Sequence, residues 1–379
     1  MKKKILFITT RNPYSGRYSG DVIRSSKIIN LLRKKYLLDV VCLKERKANL
    51  QEKNVHCFSY PNFFLKFLYT FLSLIKLKPL QFGLFFSKEM KVFIENNANN
   101  YDYLFFHMIR SSQYLPNNYS GKTVMEMGDL YSDNYIQTYK YLNFLNPLKY
   151  IYYLESLLVK KIEKKIFFDF DKTILFSKNE SKRISIEFKK KIVQIDESVE
   201  KTENKFSFSQ KNNRILFVGN LNYLPNLLAC KDFISNILPR LEKKIPLVKF
   251  SLVGNINYYN KFFISKKKNV ELLGPKKNLS AYIKNSFCGL ANLKIATGVQ
   301  GKVLTYMSYG LPVICSRKVS LNFRKSVLSF KSNEELIKEI IDLKKNKKKS
   351  NYFSKKSIQF SKKLYWKKVG VKYLNLLNY

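Results

Sequence analysis

The segment Ile295-Ala-Thr297-Gly298-Val299-Gln300-Gly301-Lys302-Val303-Leu304-Thr305-Tyr-Met307-Ser-Tyr-Gly310-Leu-Pro312-Val concentrates the residues best suited to hold an anion. A loop with Gly298 opens a helical pattern whose apolar positions are Val299, Val303, Leu304 and Met307. Gly310 stops that pattern, and Pro312 precedes the next strand. The start of a helix offers unpaired amide N–H groups and the positive end of the macrodipole, and Lys302 falls near its first turn. A bound diphosphate would account for both features. An ordinary strand-to-helix turn with a solvated lysine has the same local pattern, so local sequence leaves both readings open. Other reactive types are sparse. His107 ends a strand candidate with Arg110 just beyond it, while His56, between Val55 and Cys57, reads as structural. Asp169-Phe-Asp171 has D-x-D spacing but precedes a buried strand. The five cysteines are scattered, odd in number and without a C-x-x-C pair, and there are only two histidines, so no zinc site is expected. No motif brings a nucleophile to either histidine, so no Ser-His-Asp triad is placed.

The elements that must position these residues repeat one grammar. Lys4–Thr10 reads as a strand, residues 11–21 as a loop containing Gly16 and Gly20, and Val22–Leu32 as a helix with Asp21 as its N-cap. Leu37–Leu43 reads as the next strand. Strand, glycine loop, helix and strand in succession make a βαβ unit. Further strands are expected at Val55–Ser59, Tyr103–His107, Thr123–Glu126 and Thr173–Ser177. After the polar stretch Glu203–Asn213, which reads as a linker, the grammar restarts: Arg214–Gly219 as strand and turn, a helix over Asn226–Leu241, then strands at Lys249–Gly254, Val270–Gly274, Cys288–Ala291 and Val313–Ser316. The expected fold is α/β, two Rossmann-like domains facing across a cleft, with ligands beyond the carboxyl ends of the strands. Tyr139–Lys165 and the basic region from Asn333 read as helical. Phe63–Ile75 reads as a helix with one narrow polar stripe, Lys66, Thr70 and Ser73. It is too short for a bilayer span of ~20 residues. It fits a core or interdomain helix, or an interfacial one with snorkelling lysines.

Gly298-Val-Gln-Gly-Lys302-Val-Leu-x-x-Met307-x-x-Gly310-x-Pro312-Val, after Gly289-Leu-Ala-Asn-Leu293, resembles the nucleotide-sugar-binding segment of glycosyltransferase family 4. The subgroup it most resembles assembles bacterial exopolysaccharides. Other stretches keep that family's order: Asn-Pro-Tyr and Gly20-Asp21-x-x-Arg24; Lys78-Pro79-Leu; Glu126-Met-Gly-Asp129-x-x-Ser132; Glu155-(x)7-Glu163 through Phe170-Asp171 and Ser177; Phe217-Val-Gly219-x-x-x-Tyr223-x-Pro225-Asn226; and Trp366. The resemblance spans nearly the whole chain. It implies the GT-B fold and metal-independent, retaining transfer from a nucleotide-sugar, which acts as co-substrate with no further cofactor. It also implies an acceptor domain at 1–200, a donor domain at 201–360 and a helix at 361–379 returning to the first domain. Lys302 and the amides near Gly298, Val299 and Gln300 become a diphosphate clamp, with Gly219 admitting close approach of the donor. Gly16, Gly20, Asp21 and Arg24 form the loop on the acceptor side. Asp129, in a matched motif, becomes a candidate for acceptor or transition-state contact, and Asp171 becomes structural; His107, at the end of its strand, is a candidate sugar contact or a satisfied structural histidine.

Three departures bear on activity. The family generally carries two glutamates with seven residues between them, the second commonly on the nucleotide ribose; Thr297 and Thr305 stand here. A hydroxyl forgoes charge-assisted strength of about 1–2 kcal/mol. Asp196-Glu197-Ser198 replaces an expected Asn-Gly turn, and Asn292 replaces a proline. A degenerate, non-catalytic scaffold of the same fold is therefore the first alternative, and a basic nucleic-acid-binding protein, suggested by charge alone, is the lesser one.

Composition frames these readings. At 379 residues with 45% hydrophobic content, the chain supports two full cores and excludes a disordered or disulfide-stapled protein. Its 70 Lys and Arg against 27 Asp and Glu give +43, the balance of a protein that meets a polyanion. Only 11 of those cations are Arg, and no nucleic-acid motif is present, so a nucleic-acid partner is not expected. The implied partners are a nucleotide-sugar donor and a glycan or lipid-linked acceptor. Reduced cysteines and an apolar run Ile5–Ile8 too short for a signal peptide imply the cytoplasm. Peripheral contact with an anionic membrane at its inner face accommodates the charge.

Overall fold

A computed structural model describes residues 2–16, 19–44, 54–203, 206–265 and 267–378, without the side chains of 263 and 265. The chain divides into two compact units, Met1–Asp196 with Gly370–Tyr379, and Glu197–Val369.

The first unit is a seven-stranded, wholly parallel sheet of β1 (Lys4–Thr9), β2 (Leu37–Lys44), β3 (Val55–Ser59), β4 (Tyr103–His107), β5 (Lys122–Gly128), β6 (Lys172–Leu175) and β7 (Ile192–Gln194). Its order is β3-β2-β1-β4-β5-β6-β7, so the chain reverses direction of growth at β1 and β4. Crossover helices cover both faces of such a sheet, which is why Ile5, Leu6, Phe7 and Ile8 are all buried without alternation. Register sets Thr9 beside His107 and His107 beside Glu126, bringing their side chains to one end of the sheet.

The second unit repeats the plan with β8 (Arg214–Val218), β9 (Lys249–Val253), β10 (Val270–Gly274), β11 (Ser286–Ala291), β12 (Val313–Ser316) and β13 (Leu328–Phe330). The order is β10-β9-β8-β11-β12-β13, again all parallel. Phe206, in the polar stretch read as a linker, is buried in this unit's core, and its N–H donates to Tyr309 O at 2.6 Å. Residues 204 and 205 of that stretch lie outside the described residues.

Several local expectations are corrected. Asp21 is not an N-cap: the helix is Gly20–Leu32, Ser19 holds the cap position, and the Asp21 carboxylate pairs with arginines instead. The long helix expected over Tyr139–Lys165 is two helices, Tyr131–Tyr141 and Leu148–Asp169, broken where Asn143 and Asn146 turn their side chains onto the backbone N–H groups of Leu145 and Leu148. The helix expected over Asn226–Leu241 contains a π turn at Phe233–Ile237. The helix at Phe63–Ile75 forms as expected but is not a core helix, since Ser73 is its one buried residue.

Candidate functional site

In the second unit, β8 ends at Val218 and the chain turns through Gly219 beneath Lys302. The Lys302 Nζ donates to Asn226 Oδ1 at 2.6 Å and stands 3.9 Å from the Phe217 ring centroid. Burial is the main cause that pushes this ammonium down to about 7, with the nearby Cys230 thiol acting weakly the other way. The residue as a whole still keeps part of its surface open. A Cβ on residue 219 would lie 2.8 Å from Asn226 Nδ2 and 3.1 Å from Lys302 Nζ, so only glycine leaves the pair undisturbed. Asn226 is itself held, its Nδ2 donating to Asn220 O at 2.9 Å.

Lys302 belongs to the helix Gly301–Ser308, which begins after Gln300 rather than at Gly298. The loop ahead of it is fixed at two points. Gln300 Nε2 donates to Thr297 O at 2.9 Å, and Asn322 Nδ2 donates to Gly298 O at 2.5 Å, where Gly298 takes a φ of +59°. Val299 packs half-buried on the core. On the helix's inner side, the buried Tyr306 hydroxyl accepts from Val218 N at 2.6 Å and ties helix to strand end. Thr305 donates to Gly301 O at 3.0 Å, back onto its own helix. The result is a desolvated cation beside a helix amino end and a glycine floor. An entering anion restores charge to Lys302 where little water competes.

In the first unit a second charged cluster forms at the carboxyl ends of β1, β4 and β5. His107 Nδ1 lies 2.5 Å from Glu126 Oε2, with both side chains buried, and Arg24 Nε lies 2.9 Å from Glu126 Oε1. The other face of the ring is fixed by His107 Nε2 at 3.1 Å from Asp21 O. Arg11 and Arg110 meet the Asp21 carboxylate at 2.8 and 3.4 Å. Burial alone would raise Asp21, but Arg11, Ser19 and Arg110 outweigh it and leave the carboxyl below its ordinary value. Arg110 Nε donates to Thr10 Oγ1 at 2.5 Å and its guanidinium covers Phe85 at 4.3 Å. Met108, next to His107, has a φ of +70°, an uncommon conformation for a side chain of its size. Its sulfur accepts from Arg24 Nη2 at 3.6 Å and from the Tyr131 hydroxyl at 3.3 Å.

Asp21, Arg24 and His107 are thus brought together. Asp129 follows β5 half-buried, and its charge is one reason the Tyr131 phenol is raised, after burial. Gly20 starts its helix, and Gly16 takes a φ of +67° with open space around it. Two matched motifs hold loops in place. Glu155 Oε1 accepts from Leu80 N at 2.6 Å, and Glu163 accepts from Ser132 N at 3.0 Å and Ser132 Oγ at 2.5 Å. Asp171 Oδ2 accepts from Thr123 N and Oγ1 at 2.7 and 2.8 Å, a structural use of that carboxylate. Among the described residues no group of three or more His, Cys, Asp or Glu could hold a metal ion. Asn226, Arg110, Arg11 and Glu126 carry no assigned role in the sequence patterns. Asn226 and Glu126 stood in matched motifs and Arg110 stood beside His107, but their pairings cross tens of residues and have no local signal.

Residues 212–346 match the family of glycosyl transferases group 1. Among curated proteins, none matches the chain significantly. Solved structures resemble the whole chain. Anabaena HepE in complex with UDP and glucose has a TM-score of 0.67 at 12% identity, covering 99% of each chain. An S. aureus TarM variant in complex with Fondaparinux, alpha-GlcNAc-glycerol and UDP has a TM-score of 0.67 at 11% identity, covering 100% of each. WaaG, a glycosyltransferase involved in lipopolysaccharide biosynthesis, has 0.65 at 11% identity, covering 99% of each. The fold is therefore GT-B, with two Rossmann-like domains, and residues 212–346 of the second are similar to glycosyl transferases group 1.

Proposed function

We propose that the chain transfers a sugar, with retention of anomeric configuration and without a metal, from a nucleotide-sugar to a glycan or lipid-linked glycan in surface polysaccharide synthesis. Its working place in this reading is the cytoplasmic side of an anionic membrane. The observation that carries the reading is Lys302: an ammonium pushed to about 7 by burial, over a glycine floor, inside the segment that matches a glycosyl transferase family. As the bond from the anomeric carbon to the diphosphate breaks, negative charge grows on the leaving phosphate. Lys302 and the first-turn amides stabilise that charge more than they stabilise the bound donor. The structures of HepE and TarM hold UDP, which makes UDP-sugars the first donors to test. On the acceptor side, Asp129 is the proposed sugar contact; His107, buried with Nδ1 on Glu126 and Nε2 on Asp21 O, joins it in this reading only by exchanging its Asp21 O partner for a sugar hydroxyl. The expected result is melting-temperature increases with one class among UDP-, GDP- and ADP-sugars. Lys302→Ala should lower transfer or donor hydrolysis tenfold or more, the loss of ~1.4 kcal/mol. No binding across the donor panel would remove the proposal.

One observation favours a second reading, a non-catalytic scaffold. The Thr305 hydroxyl is bonded to Gly301 O at 3.0 Å, on its own helix, where the family places a glutamate. Thr305→Glu separates the two: tighter donor binding marks a competent site, and no change in a chain that binds no donor marks the scaffold.

A further inference from the structure

The helix Phe63–Ile75 is amphipathic in the wrong sense for a protein in water. Its polar stripe faces the protein: Ser73 is buried, and the Thr70 backbone lies so close to the neighbouring helix Leu80–Leu84 that a Cβ on Gly83 would sit 2.4 Å from Thr70 Cα. Its apolar positions face outward. Phe63, Phe64, Phe67, Phe71 and Ile75 are 89, 71, 70, 53 and 62% exposed, with Leu68 and Leu72 beside them. These positions follow an i, i+4 spacing that sweeps about half the helix circumference. Soluble proteins rarely leave so continuous an apolar face in water.

Charge identifies what covers it. No acidic residue occurs between Glu52 and Glu89 in the sequence. Past the helix end stand Lys76 and Lys78, both exposed. Partial burial first, and then the like charges of Lys76, Lys165 and Lys91, hold Lys78 below the ordinary lysine value, although Lys165 and Lys91 have carboxylate partners of their own in Asp169 and Glu95. Lys66 belongs to the inward stripe, half-buried with its ammonium 5.7 Å from the Tyr60 ring centroid, so the outward face itself carries no charge. An apolar stripe that ends in exposed lysines is complementary to the acyl boundary and headgroups of an anionic leaflet. Among the described residues no helix is long and apolar enough to cross a membrane, so contact would be from one side.

We propose that the helix Phe63–Ile75 is a membrane-docking element that lays its aromatic face into an anionic bilayer while Lys76 and Lys78 meet the headgroups. This rests on the reading above only in placing the protein at a membrane, and its test uses neither donor nor acceptor. The full chain is floated with vesicles of phosphatidylcholine alone, and with vesicles of two parts phosphatidylcholine to one of phosphatidylglycerol. The wild type should float with the anionic vesicles. Phe63→Ser/Phe67→Ser/Phe71→Ser should bind at least tenfold more weakly at an unchanged melting temperature, because these side chains support no core. Lys76→Gln/Lys78→Gln, a second and milder variant, should lose binding chiefly at low salt. Failure of the wild type to float overturns the proposal, as does equal flotation of the serine variant. So does a wild-type dimer that the serine variant converts to monomer, since a second copy would then cover the face. A chain that floats yet binds no nucleotide-sugar refutes the donor reading and leaves the docking element standing.

Discussion

At the scale of single residues, Lys302 joins the chemistry to a measurable proton. Its value in the free protein is about 7 against an ordinary 10.5, and a bound diphosphate supplies the counter-charge that raises it again. Between those two pH values the donor complex holds a proton that the free protein lacks. Donor binding should therefore take up a proton above pH 7, and affinity should fall as pH rises, by at most about tenfold per unit. Calorimetry with a UDP-sugar in buffers of different ionisation enthalpy reads this between about pH 7 and 8, because the diphosphate diester has no proton to lose there and the uracil N3–H titrates higher. Lys302→Ala should flatten the profile; an unchanged slope would separate Lys302 from the donor. Gly219→Ala probes the same spot without touching a charge. Its Cβ, 2.8 Å from Asn226 Nδ2, must displace the Asn226–Lys302 pair, so donor affinity should drop about tenfold or more while the melting point moves little. Lys302 and Gly219 were legible because each sits in a punctuated motif. Their partner Asn226 was not legible as a contact, since it lies 76 residues from Lys302 and only the parallel sheet brings the two together.

At the scale of elements, the strands that frame the site were readable wherever a buried apolar run ends in a turn residue. Val55–Ser59, Tyr103–His107, Val270–Gly274 and Val313–Ser316 occur as expected. Ile192–Gln194 and Leu328–Phe330 escaped because three residues carry no period, and only pairing with β6 and β12 makes them strands. Junctions between elements carry the strictest constraints. At the end of β9, Gly254 has a φ of +151°, and a Cβ there would fall 1.8 Å from Gly219 O. Gly254→Ala should therefore cost more than ~2 kcal/mol and, by pushing the Gly219 turn, weaken donor binding as well, which paired denaturant and binding titrations would show. The helix Leu148–Asp169 supplies a different constraint through Glu163. Burial raises this carboxyl to about 7 from an ordinary 4.5, against the opposing bonds from Ser132. The folded state then holds the extra proton between those values, so Glu163's contribution is complete below about pH 4.5 and is lost as pH rises through 7. Glu163→Gln keeps an acceptor for Ser132 N without a charge. It should match the wild type near pH 5 and exceed it at pH 8 by up to about 3 kcal/mol, as judged by denaturant midpoints; a loss of stability at pH 8 would show that the carboxylate is needed ionised.

At the scale of the molecule, the doubled sheet grammar was plain in the sequence, but the meaning of +43 was not. Composition cannot say where cations point. In the structure, Arg11, Arg24, Arg110, Arg183, Arg214 and Arg240 all pair with carboxylates, so most of the few arginines are committed inside their own units. The loose positive charge is lysine, strongly hydrated and without the planar fork that reads phosphate or bases. Such a surface should bind any polyanion weakly and lose it as counterions return. Duplex DNA held at about 50 mM salt should be released by about 200 mM, with no rise in melting temperature from nucleic acid at the higher salt. Vesicle binding should respond differently, since the contribution from Phe63, Phe67 and Phe71 is burial of apolar area and is not screened. Across one salt series, anisotropy with labelled duplex should fall to baseline while flotation with anionic vesicles falls only to a plateau that the serine variant lacks. If duplex binding instead survived at the higher salt and stabilised the fold, the lysines would be a nucleic-acid surface after all; if both curves reached zero together, charge alone would hold the protein to membranes and the aromatic face would contribute nothing.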